Sequence, residues 1–145
     1  LTMLLLNVLT ISSPMRFDRE KADREVAVKA RLIHIRNAEE AYRSKNGVYT
    51  GDFATLIRGG YLADSAQYIP YSAGKRFALA ANVQTGRSGR DIPLMECSAG
   101  YEDYLNGMDD GQVAELIDEA TRSGRYPGLK IGDITTPNDN AGNWE

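Results

Sequence analysis

Oxygen-bearing side chains that could bind a hard cation are concentrated near the end of the sequence. Asp133 is followed by Asn138, Asp139 and Asn140, and Glu145 is the last residue. Such oxygens are the ligands that Ca²⁺ prefers, so this tail segment is a candidate calcium site, and calcium is the one candidate cofactor. The same residues favour Asx turns, in which Asn and Asp bond their own backbone, and their spacing does not match an EF-hand. Both interpretations stay open at this point.

The sequence offers little that could carry catalysis. It contains one cysteine, Cys97, and one histidine, His34, so it has no Cys/His cluster with zinc spacing. It also lacks a Gly-x-Ser-x-Gly motif, a phosphate-binding glycine loop and a dinucleotide fingerprint. We therefore expect no enzymatic activity, and we expect Cys97 to be a small buried hydrophobic residue. The net charge of -3 gives nucleic-acid binding no electrostatic support.

Residues 1–14 form an apolar segment that changes abruptly to charged sequence at Arg16. Eight of the first eleven residues are Leu, Met, Val or Ile, and as a helix they would extend about 16 Å, half of a ~30 Å bilayer core. The segment could be the end of a transmembrane helix, the hydrophobic region of a signal peptide or a short core helix. We favour an incomplete membrane anchor, because no small-x-small cleavage pattern follows it. The anchoring residues would be Leu4, Leu5, Leu6, Val8 and Leu9.

The charged sequence that follows has the periodicity of a long amphipathic helix over Arg16–Lys45. No proline or glycine interrupts residues 15–46, and Asn46-Gly47 would end the helix. The apolar stripe consists of Val28, Leu32, Ile35, Ala38 and Tyr42. Opposite charges at helical spacing, such as Glu39 with Arg43, predict a solvated face. Small residues would let the helix pack closely on a sheet, and the residues expected at that interface are Ala27, Ala30, Ala38, Ala41 and Tyr42.

The remaining elements predict an α+β fold for residues 15–145, a stalk helix with a small head. Strands are expected over Arg76–Val83 and Ile92–Ser98, paired as an antiparallel hairpin around a turn-rich segment. A second long helix is expected over Asp109–Ser123, with Asp109 or Asp110 as its N-cap. Shorter elements are a helix over Phe53–Arg58 capped by Asp52 and a strand over Leu129–Gly132. Trp144 is expected to dock against the head, because an indole gains from burial.

Three segments carry a resemblance to a known family. The sequence IRNAEEAYRSKNGVYT resembles the helix-to-loop junction of type IV pilin-like proteins, and most of all that of the major pseudopilin of type II secretion systems. The following GDFATLIRGGYL is similar to the short helix of those proteins, and NDNAGNWE is similar to their C-terminal tail. The resemblance implies a pilin-like fold, with calcium bound by the acidic tail loop at Asp139 with Asn138 and Asn140.

The resemblance also implies a location and a role. It implies a single-pass protein of the bacterial inner membrane, with its head in the periplasm or on an extracellular filament. The expected function is structural, as a subunit of a pilus or secretion apparatus that associates with itself or with other envelope proteins. One alternative is a membrane-tethered periplasmic scaffold or ligand-binding domain that does not polymerise. A second alternative is a small enzyme acting on envelope substrates, for which no residue suggests a nucleophile.

Overall fold

One long helix lies against a small antiparallel sheet in the computed structural model, which describes residues 13–145. The fold is α+β, as the sequence predicts. The elements are α1 (Ser13–Asn46), α2 (Phe53–Arg58), a 3₁₀ helix (Asp64–Gln67), β1 (Ala78–Thr85), β2 (Asp91–Gly100), α3 (Tyr101–Tyr104), α4 (Asp110–Arg122) and β3 (Gly128–Gly132).

Helix α1 has 34 residues and is about 50 Å long. It ends at the predicted Asn-Gly pair, where Gly47 has a φ of +78° and its N–H donates to the Arg43 carbonyl at 2.7 Å. This left-handed conformation is one that glycine adopts without a steric penalty. The predicted long helix is therefore confirmed, together with its C-terminal boundary.

The sheet has the strand order β1-β2-β3, and both pairs are antiparallel. The predicted hairpin is confirmed, with Ala78 opposite Ser98 at one end and Thr85 opposite Asp91 at the other. Strand β3 adds to the other edge of β2 and begins at Gly128, where a Cβ would clash with the Ala99 carbonyl. The backbones of β2 and β3 therefore approach closely only because a glycine occupies this position.

The core lies between α1 and the sheet. Val28, Leu32 and Ile35 of the predicted stripe are fully buried, and the sheet contributes Met95, Cys97 and Ile131 among others. Cys97 is a free, buried cysteine, which confirms its predicted character.

Only part of the expected small-residue interface faces this core. Ala38 is buried, and Ala27 and Tyr42 are partly buried. Ala30 and Ala41 are exposed, so the prediction that they pack on the sheet is wrong. The reason is angular, because each residue turns an α-helix by about 100°. Ala30 is two residues beyond Val28 and therefore lies on nearly the opposite side of α1, and Ala41 is rotated away from Tyr42.

Three arginines of α1 bind the loops of the head, which corrects the expectation of a purely solvated charged face. Arg24, Arg31 and Arg36 each donate hydrogen bonds of 2.8 to 3.0 Å to main-chain carbonyls far away in the sequence. The acceptors are Tyr104 and Asn106 for Arg24, Tyr68 for Arg31, and Asn140 for Arg36. These bonds satisfy carbonyls of loops and of the C-terminal end of α3, where regular backbone pairing stops.

Local sequence signals fix the two capped helices. The Asp52 carboxylate accepts from the Ala54 N–H at 3.1 Å at the start of α2. Asp109 caps α4 by accepting from the Gln112 N–H at 2.9 Å, so both predicted helices and their caps are confirmed. The 3₁₀ helix and α3 were not predicted, because each has only four residues and no apolar period.

Replacing Ala38 by Phe should destabilise the protein, because the buried methyl group leaves no room for a ring between α1 and the sheet. We expect a loss of about 1–3 kcal/mol in the free energy of unfolding, measured by urea denaturation. Ala30→Phe is the matched control, since it makes the same change on an exposed position of the same helix. Equal stabilities for the two variants would show that Ala38 is not at the interface.

Candidate functional site

The segment 133–145 returns to the free edge of β3 and extends the sheet. The Gly132 N–H donates to the Ala141 carbonyl at 3.0 Å, and the Asn143 N–H donates to the Lys130 carbonyl at 2.9 Å. The side chain of Asn143 adds a bond from its Nδ2 to the Gly128 carbonyl at 3.0 Å. The tail thus pairs with the edge of β3, which would otherwise expose unpaired backbone groups.

Trp144 packs against the core cluster and is partly buried, which confirms its predicted docking. The ammonium of Lys29 lies 5.8 Å from the centre of its ring. Gly142 lies beneath the indole, and a Cβ at that position would come within 2.7 Å of the ring. Docking therefore depends on a glycine two residues before the tryptophan.

Arg36 of α1 holds the end of the tail. Its Nη1 donates to Glu145 Oε1 at 2.9 Å and to the Asn140 carbonyl at 3.0 Å. Glu145 Oε1 also accepts from the Gly142 N–H at 2.7 Å. The hydrogen bond from Arg36 is the main reason that the pKa of Glu145 is lowered. The tail is thus fastened to the long helix as well as to β3.

The three residues of the candidate calcium site differ in their surroundings. Asn138 and Asp139 are exposed, whereas Asn140 is buried and its Nδ2 donates to the Tyr49 hydroxyl at 3.0 Å. Together with Glu40 they line a cleft of about 320 Å³. Within residues 13–145, no three His, Cys, Asp or Glu side chains are grouped so that they could hold a metal. Calcium binding therefore stays a prediction.

Asp133 forms an Asx turn. Its Oδ1 accepts from the Thr135 N–H at 2.7 Å, from the Thr135 hydroxyl at 2.6 Å and from the Thr136 N–H at 3.1 Å. The Thr135 hydroxyl is the main reason that the pKa of Asp133 is lowered. The turn interpretation is thus confirmed for Asp133, which lies outside the cleft lined by Asp139.

Glu39 is a buried carboxyl that the sequence reasoning assigned wrongly to the exposed face. It is 0% exposed, and its Oε1 accepts from the Thr50 N–H at 3.0 Å. Its Oε2 has no hydrogen-bond partner in the part of the chain that the structure describes. Burial raises the pKa of Glu39 to about 7, against a smaller opposing effect of the Thr50 N–H. The sequence contains a signal for this burial, because Glu39 is four residues after Ile35 and therefore lies on the buried stripe of α1.

The proposed membrane-anchoring residues Leu4, Leu5, Leu6, Val8 and Leu9 lie outside the described residues. Among the helices of residues 13–145, none is both long and apolar enough to cross a membrane. No protein-family model, curated protein or solved structure matches this chain. What the structure describes is an α+β head whose C-terminal tail is bonded to the long helix α1.

Stability should fall as the pH rises from about 4.5 to about 7, because of Glu39. In that range the folded chain keeps a proton on Glu39 that the unfolded chain, with a pKa near 4.5, has released. The raised pKa of Glu39 corresponds to a loss of about 3 kcal/mol in the free energy of unfolding by pH 8. We expect this fall in urea denaturation between pH 4.5 and 8.

The variant Glu39→Gln cannot ionise and should lose that pH dependence. Glu115→Gln, on an exposed position of α4, is the control and should keep the slope of the parent. A parent protein with flat stability across this range, or a Glu39→Gln variant with an unchanged slope, would contradict the assignment of the raised pKa.

Proposed function

We propose that this chain is a membrane-anchored structural subunit of a bacterial envelope assembly, a pilin- or pseudopilin-like protein of a pilus or secretion apparatus. The observation that supports the proposal best is the position of α1. This helix follows directly on the apolar segment and packs along a small antiparallel sheet. Such an arrangement would place an anchor formed by the apolar segment directly before a helix that is part of the head, and the motifs from Ile35 to Leu62 agree with it.

The outer face of α1 supports self-association. Ala22, Val26, Ala30 and Ala41 are exposed, and their spacings of four, four and eleven residues keep them on one side of the helix. Val26 is 69% exposed, which is unusual for a branched apolar side chain in a charged helix. Small residues let two helices approach closely, so a second copy of α1 could pack along this face.

The apolar residues Leu4, Leu5, Leu6, Val8 and Leu9 would anchor the chain in the inner membrane as a single-pass protein. The head would then lie in the periplasm or on an extracellular filament. The alternative is a membrane-tethered scaffold or ligand-binding domain that does not polymerise. The two functions share the anchor and differ in whether α1 helices of neighbouring copies meet.

Cysteine cross-linking on washed membranes tests both parts of the proposal. Cys97 is buried, so Val26→Cys introduces an accessible thiol on the outer face of α1. We expect the full chain to stay in the membrane fraction after a carbonate wash, and we expect a bifunctional thiol reagent to convert Val26→Cys into covalent multimers.

Glu102→Cys is the control, because it places an accessible thiol on the head, away from that face. Release of the parent protein by carbonate would contradict the anchor. Membrane-bound Val26→Cys that stays monomeric, or that cross-links no more than Glu102→Cys, would favour the non-polymerising alternative.

Calcium binding at the tail is part of the proposal. The cleft near Asp139 brings the Glu40 carboxylate close to the candidate ligands Asn138, Asp139 and Asn140, so it offers several oxygen donors. Calcium should therefore raise the melting temperature of chelator-treated protein, because a ligand that binds only the folded state stabilises it. Asp139→Ala should abolish the shift. If millimolar calcium does not raise the melting temperature, or raises it equally in the variant, the Asn and Asp residues of the tail are better interpreted as forming Asx turns.

A further inference from the structure

A second cleft, away from the candidate calcium site, opens where α1, β3 and the tail meet. It has a volume of about 370 Å³, which is at the lower end of the range for small-molecule sites. Four cationic side chains and one carboxylate line it, although the chain as a whole has a net charge of -3. The cations are Lys21, Lys29, Arg125 and Lys130, and the carboxylate is Glu25.

The cations come from three separate parts of the chain. Lys21 and Lys29 are eight residues apart on α1, Arg125 precedes β3, and Lys130 belongs to β3. Their convergence is therefore a product of the fold, and it has an electrostatic cost, because like charges repel. The three lysines are also partly buried, so they are held in the cleft and do not extend freely into water.

The only carboxylate of the cleft is already engaged. Glu25 Oε1 accepts from Lys21 Nζ at 3.2 Å, and its Oε2 accepts from the hydroxyl of the buried Tyr104. Lys130 lies at the limit of an ion pair, 3.9 Å from Glu96. Lys29 has no carboxylate within 4 Å in the part of the chain that the structure describes. Arg125 Nη2 lies 3.5 Å from Glu119 Oε1, so Lys29 is the one cation of the cleft without an acidic partner among the described residues.

Aromatic rings form the apolar part of the walls and lie beneath the ammonium groups. The distances from Nζ to the ring centre are 5.6 Å for Lys21 over Tyr101, 5.8 Å for Lys29 over Trp144 and 5.7 Å for Lys130 over Tyr126. Contacts of this length are near the outer limit of cation–π attraction. They hold the ammonium groups in place, and each group keeps N–H donors to offer to a ligand.

We propose that this cleft binds an anionic sugar unit, a pyranose that carries a carboxylate or a phosphate. The ammonium groups of Lys29 and Lys130 would bind the anionic group by charge-assisted hydrogen bonds. The apolar C–H face of the pyranose would pack against the rings of Tyr126 and Trp144 beside the ammonium groups that lie 5.7 and 5.8 Å from the ring centres. The Asn143 Nδ2 bonds the Gly128 carbonyl through one N–H, and its second N–H would donate to a hydroxyl of the sugar. Sites of this kind combine aromatic walls with a few polar groups that fix orientation. The inference is independent of the proposed structural role.

Titration of the 145-residue chain with D-glucuronate and with glucose 6-phosphate tests the proposal. Trp144 is the only tryptophan, so its fluorescence reports directly on the cleft, and calorimetry gives an independent binding constant. We expect saturable binding of both anions that weakens with added salt. Neutral glucose should bind far more weakly, and so should sulfate, which has no face to pack on the rings.

Lys29→Gln removes the ammonium that has no acidic partner and should weaken binding about tenfold or more, as expected for the loss of a charge-assisted hydrogen bond. Lys45→Gln is the matched control, since Lys45 is exposed on the same helix and lies outside the cleft. Circular dichroism of both variants checks that they remain folded.

Polygalacturonate distinguishes the possible sources of the ligand. Tighter binding of the polymer than of the monomer would indicate a charged polysaccharide, and equal binding per sugar unit would indicate a free sugar. The proposal is overturned if neither monomeric anion binds saturably, if glucose binds equally well, or if calorimetry gives Lys29→Gln the same affinity as the parent chain.

Discussion

The packing of α1 on the sheet is the contact on which the rest of the structure depends. Val28, Leu32 and Ile35 are 0% exposed, and each is worth about 1.5–3 kcal/mol when removed from water. A sheet of only three strands, with β3 five residues long, has little stability without a partner surface. The long helix therefore supplies one wall of the core of the head, and the helix and the sheet form one packed unit.

This arrangement explains why polar groups of α1 are drawn into the structure. The loops that cross the helix present main-chain carbonyls, and Arg24, Arg31 and Arg36 supply donors for them at successive levels. Glu39 is the exception, because its Oε1 meets one N–H donor and its Oε2 has no hydrogen-bond partner among the described residues. Burial favours the protonated form of this carboxyl, so the stability of this part of the core depends on pH.

The tail and the outer face of α1 give the two sides of the helix different roles. On the inner side, Arg36 and the Trp144 ring hold the tail, and the tail completes the wall of the basic cleft. On the outer side, Val26 remains exposed beside small residues. The outer face borders the cleft, because Lys29 lies three residues after Val26 on the same helix.

The sequence by itself determined the elements whose causes are local. The apolar period gave α1, the turn-rich segment 84–90 gave the hairpin, and the Asp52 and Asp109 caps gave the starts of α2 and α4. It also suggested residues 138–140 as candidate calcium ligands, and calcium binding there stays a prediction. The resemblance to pilin-like proteins adds an expectation of function that no comparison with known proteins supports or contradicts.

Only the tertiary structure decided which residues meet across large separations in sequence. Arg36 and Glu145 are 109 positions apart, and neither their pairing nor the convergence of the cleft lysines has a periodic signal. The exposure of Ala30 and the burial of Glu39 were likewise decided by the direction from which the sheet approaches α1. A pattern of residue types fixes the spacing along one element, whereas the choice of partner depends on how all elements share a single core.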